Sequence, residues 1–219
     1  MLTPLQQRVA RIVADLPDAD DFVLAGGGAL IARGDVDRTT RDLDYFATRP
    51  ERVLELLPHL VAALEEAGLT VETHRAVDGF VRLVVTDGAE ATDVDRASDY
   101  RLLPPEPTPA GRALAAEELA VDKVLAIFDR GEGRDFADLA AVVDRWGLDH
   151  LLRRAKEKDG GFSTAFFVEA LDRAVRLRDE DFRVPIERVS GIRAAIAGWR
   201  LHVASLPRER RSGTDELGR

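Results

Sequence analysis

Two aspartates one residue apart, Asp42 and Asp44 in "RDLDYF", are placed to do chemistry as a pair. On a strand, residues i and i+2 point to the same face, so both carboxylates project side by side. Held that close they repel, and one carboxyl is driven toward its neutral form unless a cation sits between them. Mg²⁺, or Mn²⁺ in its place, suits one or two carboxylates acting together with substrate phosphates. An exposed strand face or a cap for the next turn would use the same residues. Sixteen residues before Asp42, "AGGGALIAR" places Gly26, Gly27 and Gly28 after an apolar run. A glycine turn opening a helix presents backbone N–H groups with no Cβ in the way, and the helix end adds partial positive charge. Gly26 and Gly27 could therefore hold a phosphate; a plain tight turn is the alternative. No G-K-[ST] follows and no G-x-G-x-x-G is present, which excludes a P-loop and a Rossmann fingerprint. Downstream, "EATDVDRASD" offers a third carboxylate, Asp93 or Asp95, with Asp95 expected where a strand gives way to a loop. Three carboxylates can hold two metal ions, one activating an attacking hydroxyl and one steadying a leaving pyrophosphate.

The elements that must position these groups follow from periodicity. "DFVLAGGGALIAR" predicts strand, tight turn and helix start. "RDLDYF" predicts a strand with Leu43 and Tyr45 on one face and Asp42, Asp44 and Phe46 on the other. Pro50 opens a helical run that Gly68 stops, and Pro58 should kink or break it. "LTVETHR", "GFVRLVVT" and "EATDVDR" predict strands joined by hairpin turns. The proline-rich "LLPPEPTPAG" reads as an irregular connector, and five helical stretches follow it. The expected fold class is α+β: a small mixed sheet with flanking helices, then a helical bundle closing the cleft. The expected division is an α/β core over 1–103, a helical domain over 104–206 and a disordered tail over 207–219.

The remaining composition narrows the classes. The 219 residues are 45% hydrophobic, enough for a core. The absence of cysteine removes disulfides and thiolate chemistry. The N-terminal stretch reads as an amphipathic helix, not a signal peptide, and no apolar run is long enough for a membrane span, so the expected location is the cytoplasm. A net charge of −9 argues against a non-specific nucleic-acid coat. The basic runs "RRAKEK" and "RERR" are expected to be a solvated helix face and a loose tail. His59, His74, His150 and His202 are scattered without metal-like spacing, and Trp146, Trp199, Phe162, Phe166 and Phe167 suit helix packing.

"AGGGALIARGDVDRTTRDLDYF" resembles the glycine-pair and D-h-D signature of the DNA-polymerase-β-like nucleotidyltransferases, and more narrowly the AbiEii/AbiGii-type nucleotidyltransferase toxins. The pattern "GG-x-A-L-x-x-R" is carried by Gly26, Gly27, Ala29, Leu30 and Arg33, and "R-x-[ST]-x-D-h-D-h-F" by Arg38, Thr40, Asp42, Asp44 and Phe46. A later block, "EELAVDKVLAIFDRGEGRDFADL", is similar to a second family block through Glu118, Lys123, Arg130, Arg134, Asp135 and Asp138. "VDRASD" matches the segment of the third carboxylate at Asp95. The resemblance implies Asp42, Asp44, Lys123 and Asp135 as catalytic, Gly26, Gly27, Arg33, Thr40, Lys123 and Arg130 as nucleotide-binding, and Asp42, Asp44 and Asp95 as metal ligands. Asp135 would lie near the metal or orient Lys123; otherwise Lys123 is exposed and Asp135 is a cap or a partner of Arg134. The implied reaction is transfer of a nucleoside monophosphate from a nucleoside triphosphate to an acceptor hydroxyl. An RNA acceptor, with the tRNA acceptor end as one case, and a cognate antitoxin would be the partners. Gly28 departs from the small hydroxyl residue common in the family, and the chain is expected to be short for it. Two other readings stay open: a nucleotidyltransferase acting on a small molecule such as an antibiotic, and a degenerate nucleotide-binding regulatory module.

Overall fold

A computed structural model describes residues 1–17 and 19–207. In chain order the elements are α1 (Pro4–Asp15), β1 (Val23–Ala25), α2 (Gly26–Ala32), β2 (Asp42–Ala47), α3 (Pro50–Glu55) and α4 (Leu57–Glu66). Next come β3 (Thr70–Val77), β4 (Phe80–Thr86), β5 (Ala91–Ser98), β6 (Glu106–Thr108) and β7 (Gly111–Ala113). The rest is helical: α5 (Ala116–Asp129), α6 (Gly133–Val142), α7 (Leu148–Lys158), α8 (Thr164–Arg173) and α9 (Ile186–Ser205). The fold is α+β, as the periodicity predicts. Most of the expected tail, from residue 208 on, and with it "RERR", lies outside the described residues.

The seven strands form one mixed sheet in the order β3-β4-β5-β2-β1-β7-β6. β2 is central, antiparallel to β1 and parallel to β5. Its burial alternates along Asp42–Ala47, with Leu43, Tyr45 and Ala47 buried and the aspartates on the more open face. The turn after β4 returns the chain antiparallel as β5, so Asp93 and Asp95 lie beside Asp42 and Asp44. Asp95 sits inside β5, which runs on to Ser98, rather than at the strand's end as expected.

The proline-rich stretch is not an irregular connector. It carries the β6–β7 hairpin, and β7 pairs with β1 through Leu24 and Ala113. Pro107 falls on β6, the outermost strand, where a missing N–H costs least. The sheet therefore crosses the expected boundary at residue 103 and is larger than the sequence suggests. One continuous apolar core holds strand residues such as Leu43 and Val94 together with Leu119, Phe136 and Phe167 from the helical half.

Two local devices set the position of the aspartates. Thr3 and Gln6 form a capping box at the start of α1, with Pro4 in its first turn. The buried Gln6 amide then donates to the Thr40 carbonyl at 3.1 Å and to Thr92 Oγ1 at 3.3 Å, tying the starts of β2 and β5 to α1. Pro58 breaks the helical run as expected: α3 ends at Glu55 and α4 begins at Leu57. Trp199, Phe162 and Phe167 are buried, whereas Phe166, expected to pack, is 58% exposed.

Candidate active site

β1 delivers the chain into α2 with Gly26 at φ +58°, a left-handed value at which glycine carries no steric penalty. A Cβ on Gly26 would stand 2.0 Å from Asp44 Oδ2. A Cβ on Gly27 would stand 2.5 Å from an Arg38 guanidinium nitrogen. The glycine pair thus makes room for a carboxylate and a guanidinium, whatever else its N–H groups bind.

Asp42 accepts a 2.6 Å hydrogen bond from the Thr40 hydroxyl and lies 3.7 Å from Arg134. Among the described residues no ion pair reaches Asp44. Burial first, then the charges of Asp42 and Asp95, push its carboxyl up to about 6, against the pull of Lys123 and Arg134. This is the repulsion that the D-x-D spacing predicts. Asp95 is different: Arg82, its cross-strand partner on β4, holds it by a two-pronged ion pair.

The opposite wall comes from α5 and α6. Lys123 is buried and pairs with Asp135 at 3.2 Å and with Asp138 at 2.9 Å. Arg130 forks onto Asp135 at 3.0 and 3.1 Å, and Arg38 forks onto Asp138 with both contacts at 2.7 Å. Three cations against two carboxylates leave this cluster with an excess positive charge beside Asp44. The cations hold the Asp135 carboxyl below its ordinary value despite its burial. Lys123 is therefore not an exposed lysine, and Asp135 orients it. Arg134 pairs with Glu132 at 2.8 Å rather than with Asp135.

Gly26, Asp44, Lys123 and Arg130 line one open cleft of about 500 Å³. Asp42 adjoins it through the strand and Asp135 through Lys123. Three expected nucleotide contacts lie elsewhere. Arg33 ends α2 on the far side, paired with Asp35 at 3.2 Å and Glu106 at 2.7 Å. The buried Thr40 donates its hydroxyl hydrogen bond to Asp42. Gly27 is buried behind Gly26 against Arg38. Among the described residues no group of three carboxylates or histidines is arranged to hold a metal ion, and Asp95 is paired with Arg82. Asp42 and Asp44 do fit a divalent ion: both are oxygen donors on one face, and Asp44 lacks a cation.

The cleft also holds residues that sequence reasoning missed. Lys158, from the "RRAKEK" run expected to be solvated, is 3% exposed. It contacts Asp99 at 3.0 Å, Glu118 at 3.0 Å and Asp122 at 2.5 Å. One ammonium shared by three carboxylates leaves Asp122 raised to about 7, mainly by burial. Leu151, Leu152 and Ala155 mark the buried side of α7 at helical spacing, and Lys158, seven residues after Leu151 and three after Ala155, falls on that same side, a signal masked by the charged run around it.

A mixed sheet presenting paired aspartates beside a glycine-opened helix, with a lysine brought in from a helical half, is the arrangement of a nucleotidyltransferase. The fold is similar to that of JHP933 from Helicobacter pylori, with a TM-score of 0.55, 18% identity and coverage of 91% of this chain and 93% of that one. A second H. pylori structure, provisionally assigned as a nucleotidyltransferase, gives 0.54 and 18% identity over 94% and 97%. Against both, the chain is not short. A search of curated proteins gives no match. Residues 9–212 match the family of the AbiEii nucleotidyl transferase toxins of type IV toxin–antitoxin systems, and the chain belongs to that family. No described helix is long and apolar enough to cross a membrane.

Proposed function

We propose that this toxin-family nucleotidyltransferase moves a nucleoside monophosphate from a nucleoside triphosphate to an acceptor hydroxyl on RNA, the tRNA acceptor end being the first candidate, in the cytoplasm. The observation that carries the reading is Asp44, a carboxylate with no ion pair among the described residues, facing Lys123 and Arg130 across one cleft. The acceptor hydroxyl gives up its proton to solvent, its oxygen attacks the α-phosphorus, the bond from that phosphorus to the bridging oxygen breaks, and pyrophosphate leaves. Asp42 and Asp44 would hold Mg²⁺ or Mn²⁺, which supplies positive charge to the phosphate oxygens when bound.

The chain's own groups do the rest. Lys123 spends two of its three donors on Asp135 and Asp138, leaving one for a phosphate oxygen. Arg130, about half exposed, presents the outer edge of its guanidinium to the cleft while Asp135 fixes the inner edge. Both cations are in place before substrate arrives, so little reorganisation is needed as charge develops on the leaving group. Gly26 keeps side chains out of the space between the phosphate path and Asp44. An antitoxin encoded with the toxin is the expected partner.

Incubating the protein with each α-labelled nucleoside triphosphate, Mg²⁺ and total RNA tests the reading. Label should appear on RNA and disappear with Asp44→Asn. Label on a small molecule alone would support an antibiotic-type acceptor instead, and no transfer with any of them would leave a nucleotide-binding module.

A further inference from the structure

The carboxylate expected to complete a three-aspartate metal site is already held by a cation of the chain itself. Arg82 and Asp95 face each other in the β4–β5 register. Arg82 Nε donates to Asp95 Oδ1 at 2.7 Å, and Nη2 donates to Oδ2. Such a fork uses both carboxylate oxygens and matches their spacing. The Asp95 side chain is 12% exposed, so the contact is shielded on its acidic side. The guanidinium also lies 5.7 Å from the centre of the Phe80 ring, a second restraint on its position.

The need for this cation is visible in the sheet. Parallel pairing sets Asp42 beside Asp93 and Asp44 beside Asp95, four carboxylates on neighbouring positions of two strands. Like charges so placed repel. Two guanidinium groups sit at the rim of the patch, Arg82 on Asp95 and Arg134 at 3.7 Å from Asp42. Asp93 and Asp42 add to the attraction that Asp95 exerts on Arg82. Asp44 is left in the middle without an ion-pair partner among the described residues.

We propose that the Arg82 guanidinium takes the place of a second metal ion at Asp95, so that the site binds a single divalent cation, at Asp42 and Asp44. The inference rests on the nucleotidyl-transfer reading of the same site. A divalent ion at Asp95 would break two charge-assisted hydrogen bonds and then lie close to a like-charged guanidinium. One divalent ion on one or two carboxylates, completed by substrate phosphates, is an ordinary Mg²⁺ arrangement. Arginine suits the post better than lysine, because its planar fork is held by geometry as well as charge. The second-ion duty toward the leaving pyrophosphate then falls to Lys123 and Arg130.

Counting bound Mn²⁺ by electron paramagnetic resonance in the full chain tests this, with circular dichroism confirming each variant's fold. The native chain should bind one Mn²⁺, Asp44→Asn none, and Asp95→Asn still one. Arg82→Ala should bind two, because it frees Asp95. A native count of two, an ion lost in Asp95→Asn, or a folded Arg82→Ala that still binds one overturns the inference and leaves the reading of the site intact. A native chain that binds no Mn²⁺ overturns both. If Arg82→Ala does not fold, Asp95→Asn decides: an unchanged count supports the inference and a reduced one overturns it.

Discussion

The Asp44 carboxyl lies against Gly26, where burial and then repulsion from Asp42 and Asp95 act on it and no ion-pair partner reaches it among the described residues. Its folded value of about 6 exceeds the ordinary 3.8, so the sign of its stability contribution is set. The favourable contribution is complete below about pH 4 and is lost as pH rises through about 6. At neutral pH without metal, the ionised group opposes folding. Asp44→Asn keeps the shape and removes the charge, so it should raise stability at pH 7.5 by on the order of 1–2 kcal/mol. The gain should vanish near pH 4, and nucleotidyl transfer should fall by roughly two powers of ten or more. Thermal unfolding at the two pH values, paired with the labelled-nucleotide assay, checks all three outcomes. A less stable Asn variant would mean that Asp44 is held by contacts rather than tolerated for function. Arg33 and Thr40 mark the opposite case: both match the family pattern, yet one closes an ion pair to Glu106 on the edge strand β6 and the other donates a hydrogen bond to Asp42.

At the scale of elements, α5 and α6 are joined by buried charge. An exposed Lys123, one of the two readings the sequence leaves open, could be replaced by Ala with little cost to the fold. In the structure Lys123 is 6% exposed and bridges Asp135 and Asp138, themselves almost fully buried. Removing it weakens both pairs, although Arg130 and Arg38 still hold one carboxylate each. Lys123→Ala should therefore cost on the order of 3 kcal/mol in stability, in addition to the fall in transfer. Urea unfolding separates the two effects, and a variant of native stability would refute the buried bridge. The Lys158 cluster joins α7 to α5 in the same way. Among the described residues Lys158 is the one ion-pair partner of the buried Glu118 and the part-buried Asp122, so Lys158→Met should destabilise by roughly 3–5 kcal/mol. Adding Asp122→Asn should restore part of that loss, because a neutral amide no longer needs the ammonium.

At the scale of the whole molecule, what the sequence makes legible are features with a short period. Alternation along 42–47 reveals β2 and the facing of its aspartates, and turn residues reveal the β3–β4–β5 meander. Features created by long-range packing stay hidden. Nothing local announces that Pro107 lies in an edge strand or that Arg82 reaches Asp95, and helical spacing puts Lys158 on the buried face of α7 without naming the acids that meet it there. The clearest such feature is Gly133, the first residue of α6, where the local pattern suggests only a loose turn before "RDFADL". A Cβ there would stand 2.5 Å from the Asp181 carbonyl and 2.8 Å from the Phe182 nitrogen, in a 3₁₀ turn of the C-terminal half. Backbone atoms cannot move aside as a side-chain tip can, so Gly133→Ala must push α6 away from that turn. Because α6 carries Arg134, Asp135 and Asp138, the displacement should reach the lysine network that faces Asp44. The expected outcome is a loss of about 1–3 kcal/mol together with reduced transfer, although Gly133 lines no part of the cleft. Gly198, within α9, has nothing within 4 Å of its would-be Cβ. Gly198→Ala should instead stabilise by about 1 kcal/mol through helix propensity and leave transfer unchanged. Melting temperatures and transfer rates of the two variants, measured side by side, decide whether the C-terminal half positions the active site or merely covers it: equal behaviour would leave it the lesser role.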